Sequence, residues 1–249
     1  MFEKNDSSYS EYKKILQLIK DTGKYMDYSE AINSTEFIVL RHDIEFSIER
    51  AYNLSKIEKE QNITSSYFVQ ITNNFYNTFS EQNIDMLKEM IEDGHYIGLH
   101  YHRSNSLDIC DVKEDIIFQS DILSKFLDYK IDRFSFHRPL KEYLKMNLKI
   151  RDMINTYSKE FFCYTENFTD DIDVKYIADS NHQWKYGTPS QKCFEKYKKI
   201  QVLIHPLSWT EEGSNHEQCF KEIMNEKRQE LIQTIENEWK YYDLLKGRI

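Results

Sequence analysis

The pair His100 and His102 follows directly on the apolar run 96–99, and Asp43 and Glu45 follow on the run 37–40. In an extended strand, residues i and i+2 point the same way about 7 Å apart, so each pair can converge on one partner. Two imidazoles placed like this can hold a divalent ion. Of two carboxylates so placed, one can bind the same ion while its neighbour takes a proton from water. Three more apolar runs end in groups of the same kind: His137-Arg138-Pro139 after 134–136, Asp179-Ser180 after 176–178, and His205-Pro206 after 202–204. Arg138 is a fixed cation at a strand terminus, able to hold a nearby carboxylate in place and ionised. An aspartate bonded to one imidazole nitrogen fixes the tautomer and raises the pKa, so Asp179 and His205 together would make a proton donor.

Segments this far apart in sequence meet if they are strand ends of a parallel sheet or barrel, which gathers them on one face. The apolar periodicity predicts strands at 37–40, 66–70, 96–102, 134–137, 160–165, 175–179 and 200–205. Between them it predicts helices from Ser47 to about residue 60, over 80–93 with a stop at Gly94, over 111–128 and around 143–157. Strands alternating with helices imply parallel strands joined by right-handed crossovers. Six or seven such units favour an incomplete or distorted (β/α) barrel, with an open doubly wound sheet as the alternative. No shift in composition marks a boundary, so residues 1–249 are expected to form a single domain. A helical lead-in over about 8–35 precedes the first strand, and a long helix over about 214–245 closes the chain.

Length and composition limit the choices further. The 249 residues can bury a substantial core, and 18 tyrosines and 15 phenylalanines argue against disorder. Six glycines and three prolines leave little room for long linkers. The net charge of −9, with no basic stripe, argues against a nucleic-acid partner. No apolar stretch reaches membrane-spanning length, and the N-terminus shows no signal-peptide pattern. Cys110, Cys163, Cys193 and Cys219 lack CxxC spacing, and are read as the reduced thiols of a cytoplasmic protein.

Taken in order, the motifs Leu40-Arg-His-Asp-Ile-Glu45, His95-Tyr-Ile-Gly-Leu-His-Tyr-His102, Phe136-His-Arg-Pro139, Tyr176-Ile-Ala-Asp-Ser180 with Trp184, and Val202-Leu-Ile-His-Pro206 resemble those of the polysaccharide deacetylases, carbohydrate esterase family 4. Within that family they are most similar to the branch with an RHDVD first motif, associated with cell-surface polysaccharide biosynthesis. The resemblance spans residues 37–206. It implies a distorted (β/α)7 barrel of the polysaccharide deacetylase type and a divalent metal, usually Zn2+, held by one carboxylate and two histidines. By position it implies Asp43 as general base, Glu45 and His100 as metal ligands, Arg138 orienting Asp43, and His205, paired with Asp179, as general acid. The family's second ligand histidine stands four residues after the first. That position here is Ser104, which leaves His102 as the substitute. The second acid, normally aspartate, is Glu45. The implied activity is hydrolysis of an N-acyl group, usually acetyl, from an amino sugar in a glycan or its precursor. Two alternatives are a metal-free carbohydrate-binding pseudoenzyme and a same-fold amidohydrolase acting on another C–N bond. Tyr101, Phe136, Trp184 and Trp209 are candidates for stacking on sugar faces.

Overall fold

Eight consecutive buried residues, Phe37–Ile44, form strand β1 of a computed structural model that describes residues 7–102, 108–164 and 172–238. A run buried on both faces is what a parallel strand under helical cover requires. The other strands are β2 (Ser66–Val69), β3 (Tyr96–His102), β4 (Arg133–His137), β5 (Ile154–Asn155), β6 (Val174–Ala178) and β7 (Lys199–Ile204). They form one seven-stranded sheet in the order β5-β4-β3-β2-β1-β7-β6, and every paired neighbour runs parallel. Read round the sheet, that is the chain order 6-7-1-2-3-4-5, the sequence a barrel gives. Among the described residues β5 and β6 are not paired, so the curl is open on one side. This is a distorted (β/α)7 barrel.

The crossovers are α3 (Ile48–Glu60), α4 (Glu81–Glu92), α5 (Ile109–Leu127), the short α6 (Lys141–Lys145) and α7 (Gln191–Lys196). They are preceded by α1 (Tyr9–Asp21) and α2 (Tyr28–Ala31) and followed by α8 (His216–Glu238). Caps stand where the sequence signals them: Ser8, Ser47 and Ser190 accept from backbone N–H groups of the first turns of α1, α3 and α7. Residues 239–245 of the expected final helix lie outside the described residues, as does Ser104. No helix among the described residues is long and apolar enough to cross a membrane. The four cysteines are free thiols.

Two local expectations fail. The helix expected around 143–157 stops at Lys145, and the backbone turns through left-handed residues at Asn147 (φ 46°) and Arg151 (φ 45°). Leu148 and Ile150 fill the core in the turn before β5. The strand expected over 160–165 is a turn in its described part. Ser158 O accepts from the backbone N–H groups of Phe161 and Phe162, and Phe161 packs on Tyr28 and Phe37.

Alternation along β1 divides its side chains. Ile38 and Leu40 pack outward with Tyr12, Ile15 and Leu54 of α1 and α3, whereas Phe37 and Val39 pack inward with Tyr28 and Phe161. Arg41, Asp43 and Glu45 continue the inward side. The interior is filled from below by Arg133, fully buried, whose guanidinium bonds Asp27 (2.6 Å) and Ser66 (2.7 Å). Gly98 allows this close packing: a Cβ there would lie 2.6 Å from the Phe68 ring and 2.7 Å from Arg133 Cγ. On the outer side of β1, His42 Nε2 meets Glu58 Oε1 at 2.7 Å. Tyr12, Ser65 and Tyr67 donate hydroxyl bonds to the same carboxylate, and all of these groups are buried.

Candidate metal centre

Glu45, His100 and His137 come together at the C-terminal mouth of the barrel, each offering one ligand atom with all three within 4.8 Å of one another. Glu45 Oε1 lies 3.0 Å from His137 Nδ1 and 3.8 Å from His100 Nε2, and the two imidazole nitrogens are 3.3 Å apart. Ligands about 2.0–2.1 Å from a tetrahedral zinc stand about 3.3 Å apart, so these spacings bracket that value. One carboxylate and two imidazoles form the donor set of a catalytic zinc site, which keeps a position open for water or substrate. By charge and by spacing, the residues fit the ion.

The surrounding bonds fix which nitrogens face inward. Ser135 Oγ donates to Asp43 Oδ1 at 3.3 Å, so it accepts from His100 Nδ1–H at 2.7 Å. That leaves the lone pair of His100 Nε2 facing Glu45 and His137, the arrangement that outer partners impose on a ligating imidazole. Burial lowers the basicity of His100, although Asp43 and Glu45 oppose the effect. Burial would raise the Glu45 carboxyl, but its neighbours His100, His137 and His205 hold it far below the usual range.

Asp43 is paired with a cation on its own strand. Arg41 Nε donates to Oδ1 at 2.9 Å and Arg41 NH2 to Oδ2 at 2.8 Å, with both side chains buried. The guanidinium also lies over the Tyr157 ring, 4.6 Å from its centroid. Burial alone would raise the Asp43 carboxyl, but the charge of Arg41, backed by His100, holds it below the usual aspartate value. Asp179 accepts from His205 Nδ1 at 2.6 Å, from His205 N at 2.9 Å and from Trp209 Nε1 at 2.8 Å. Desolvation would lower the His205 pKa, but Asp179 more than offsets it and raises it to about 9. His205 Nε2 stands 4.0 Å from Glu45 Oε1.

Of the residues singled out in the sequence, Asp43, Glu45, His100, Arg138 and His205 line one cavity of about 430 Å³, and Asp179 lies behind His205. Two placements differ from expectation. His102 is exposed at the end of β3 and lies outside the Glu45–His100–His137 group; His137, its register partner on β4, stands there. The i, i+2 rule finds a second imidazole on the same strand, but in a parallel sheet the neighbouring strand end is as close. The guanidinium on Asp43 is Arg41's, where Arg138 had been expected. Arg41 at i−2 from Asp43 carried the same strand-face signal as Asp43 and Glu45, and Ser135 at i−2 from His137 likewise. Tyr101 is buried and bonded to Asp115, and Trp209 is buried on Asp179, so neither presents a face to a sugar. Phe136, another of the stacking candidates, does line the cavity, together with Phe46, Tyr157, Tyr176 and Phe220.

No family model matches the sequence, and no curated protein matches it. Similar solved structures include BA3943 of Bacillus anthracis, described as a CE4 family pseudoenzyme. It is 12% identical, with 80% of this chain and 62% of that chain covered and a TM-score of 0.44. The peptidoglycan deacetylase PdaC from Bacillus subtilis is 12% identical over 86% of this chain and 98% of that one, TM-score 0.41. The Bc1960 peptidoglycan N-acetylglucosamine deacetylase is 17% identical over 80% and 84%, TM-score 0.43. The chain thus spans less than two thirds of the length of BA3943. At these identities and scores the likeness says nothing of the site.

Proposed function

We propose that the protein is a metal-dependent N-deacetylase of amino sugars, a divergent member of the polysaccharide deacetylases. The observation that carries this reading is the apposition of two groups at 4.0 Å: the Glu45–His100–His137 donor set and a histidine, His205, held protonated by Asp179. Glu45, His100 and His137 would hold the ion, zinc being the metal their donors suit best. When bound there, a divalent ion would polarise the acyl carbonyl and acidify water.

The chain's own groups supply the proton transfers. The Asp43 carboxylate, held by Arg41, accepts the proton of the attacking water as the new C–O bond forms. Ionised and fixed, it has lone pairs left beyond those engaged by Arg41 and Ser135. Its depressed pKa makes it a modest base but one always in the right protonation state. His205 gives its Nε2 proton to the departing amine nitrogen as the C–N bond breaks, and Asp179 keeps the imidazolium charged until then. Acid and base steps of this kind contribute about 10²–10⁴-fold each. The aromatic lining of the cavity suits the apolar faces of a sugar ring. Acetate release from N-acetylated amino sugars and chitooligosaccharides, with zinc supplied, tests the reading; no release from any of them contradicts it.

One observation favours a second reading. Glu45 and His137 already satisfy each other at 3.0 Å, so the trio can also stand as a hydrogen-bonded group without metal. A metal-free carbohydrate-binding protein would then retain sugar affinity with no turnover.

A further inference from the structure

Arg138 lines the cavity of the metal centre, yet no hydrogen bond or ion pair is formed by it among the described residues. The backbone holds it there at a cost. Arg138 has φ 50°, in the left-handed region that a side chain other than glycine adopts only at about 1–3 kcal/mol of strain. Asn181 and His182, in the same cavity, share this conformation with φ of 59° and 57°. The cavity's two carboxylates are both spoken for: Asp43 by the two-pronged bond from Arg41, and Glu45 by the histidines of the trio. Arg138 is therefore an exposed positive charge on the lining of a site whose negative charges are already matched, in a chain of net charge −9. A neutral glycan offers it only hydroxyl and amide-carbonyl acceptors. An oxyanion offers two parallel acceptors that match the guanidinium fork.

We infer that Arg138 is a specificity residue that binds an anionic group, carboxylate or phosphate, on the sugar whose N-acyl group reaches the metal centre. The inference rests on the deacetylase reading for the identity of that sugar. It narrows the substrate class to acidic amino sugars: N-acylated uronates or sugar phosphates.

The test measures binding by calorimetry in a His205→Ala background, where turnover is removed. The probes are N-acetylglucosamine, its anomeric and primary phosphates, and N-acetylglucosaminuronic acid. At least one charged probe should bind about tenfold or more tighter than the neutral sugar, the range of a charge-assisted hydrogen-bond pair. Adding Arg138→Gln should bring that ratio close to one, and Arg138→Lys should leave it between the two, since lysine keeps the charge but not the fork. The charged probe preferred distinguishes carboxylate from phosphate. A ratio near one in the parent, or a preference that survives Arg138→Gln, overturns the proposal. Acetate release by the unmutated protein from the same probes is scored separately. Preference without acetate contradicts the deacetylase reading alone, and acetate from neutral and charged probes with equal efficiency contradicts the anion site alone.

Discussion

Arg41 and Asp43, two residues apart on one strand, form a two-pronged ion pair wholly inside the barrel, with donor–acceptor distances of 2.9 and 2.8 Å. A strand sends residues i and i+2 to the same side, so a single segment supplies both the proposed base and the cation that orients it. Asp43 is thus held by Arg41 on its own strand and by Ser135 of β4, and Arg138, just past the end of β4, takes no part in that pairing.

Replacing Arg41 with Met would leave Asp43 as an uncompensated buried charge. Urea denaturation should show a loss of about 3–5 kcal/mol, and the Arg41→Met, Asp43→Leu double variant should recover much of it because both charges leave together. Equal stability of the single variant and the unmutated protein would contradict the pairing.

Removing the proton donor should affect rate and not fold. His205→Ala is expected to lower kcat about 10²–10⁴-fold, and Asp179→Asn to lower it substantially by weakening the charge on His205. Circular dichroism should be unchanged for His205→Ala. Deacetylation by His205→Ala at the unmutated rate would remove it from the mechanism.

The Glu58 cluster predicts a specific acid sensitivity. Burial raises the Glu58 carboxyl, but the charge of His42 and the bonds from His42 and Ser65 outweigh this and lower it to about 2 from an ordinary 4.5. A carboxyl depressed in the folded state contributes stability that is present above pH 4.5 and is lost as pH falls toward 2. Unfolding free energies measured across that window should fall more steeply for the unmutated protein than for Glu58→Gln. Parallel curves for the two proteins would contradict the assignment.

Gly98→Ala places a methyl group 2.6 Å from Phe68 and 2.7 Å from Arg133 Cγ, both inside a packed barrel. The expected cost is about 1–3 kcal/mol of overpacking, seen as a lower Tm. An unchanged Tm would show that the interior yields more readily than its packing suggests.

Much of this architecture was legible because parallel strands announce themselves as short apolar runs that end in polar groups. The runs at 37–40, 96–102, 134–137 and 200–205 each correspond to a strand, and Asp43, His100, Phe136 and His205, in or just past them, line one cavity. Periodicity failed where the backbone breaks its own rhythm. The left-handed residues Asn147 and Arg151 end α6 early, and neither is a glycine or proline that would mark the break. Contacts across strands were also hidden: the substitution of His137 for His102 depends on the register between β3 and β4, in which the two residues stand side by side. The choice between Arg41 and Arg138 likewise needed coordinates, since both arginines flank candidate site residues in the sequence.

Zinc binding measured by competition with a chelator, for the unmutated protein and for His137→Ala and His102→Ala, tests the metal centre most directly. One equivalent should bind to the unmutated protein, His137→Ala should lose affinity by about 100-fold or more, and His102→Ala should retain it. No zinc bound by the unmutated protein, or a loss confined to His102→Ala, would contradict the assignment of Glu45, His100 and His137 as the ligands.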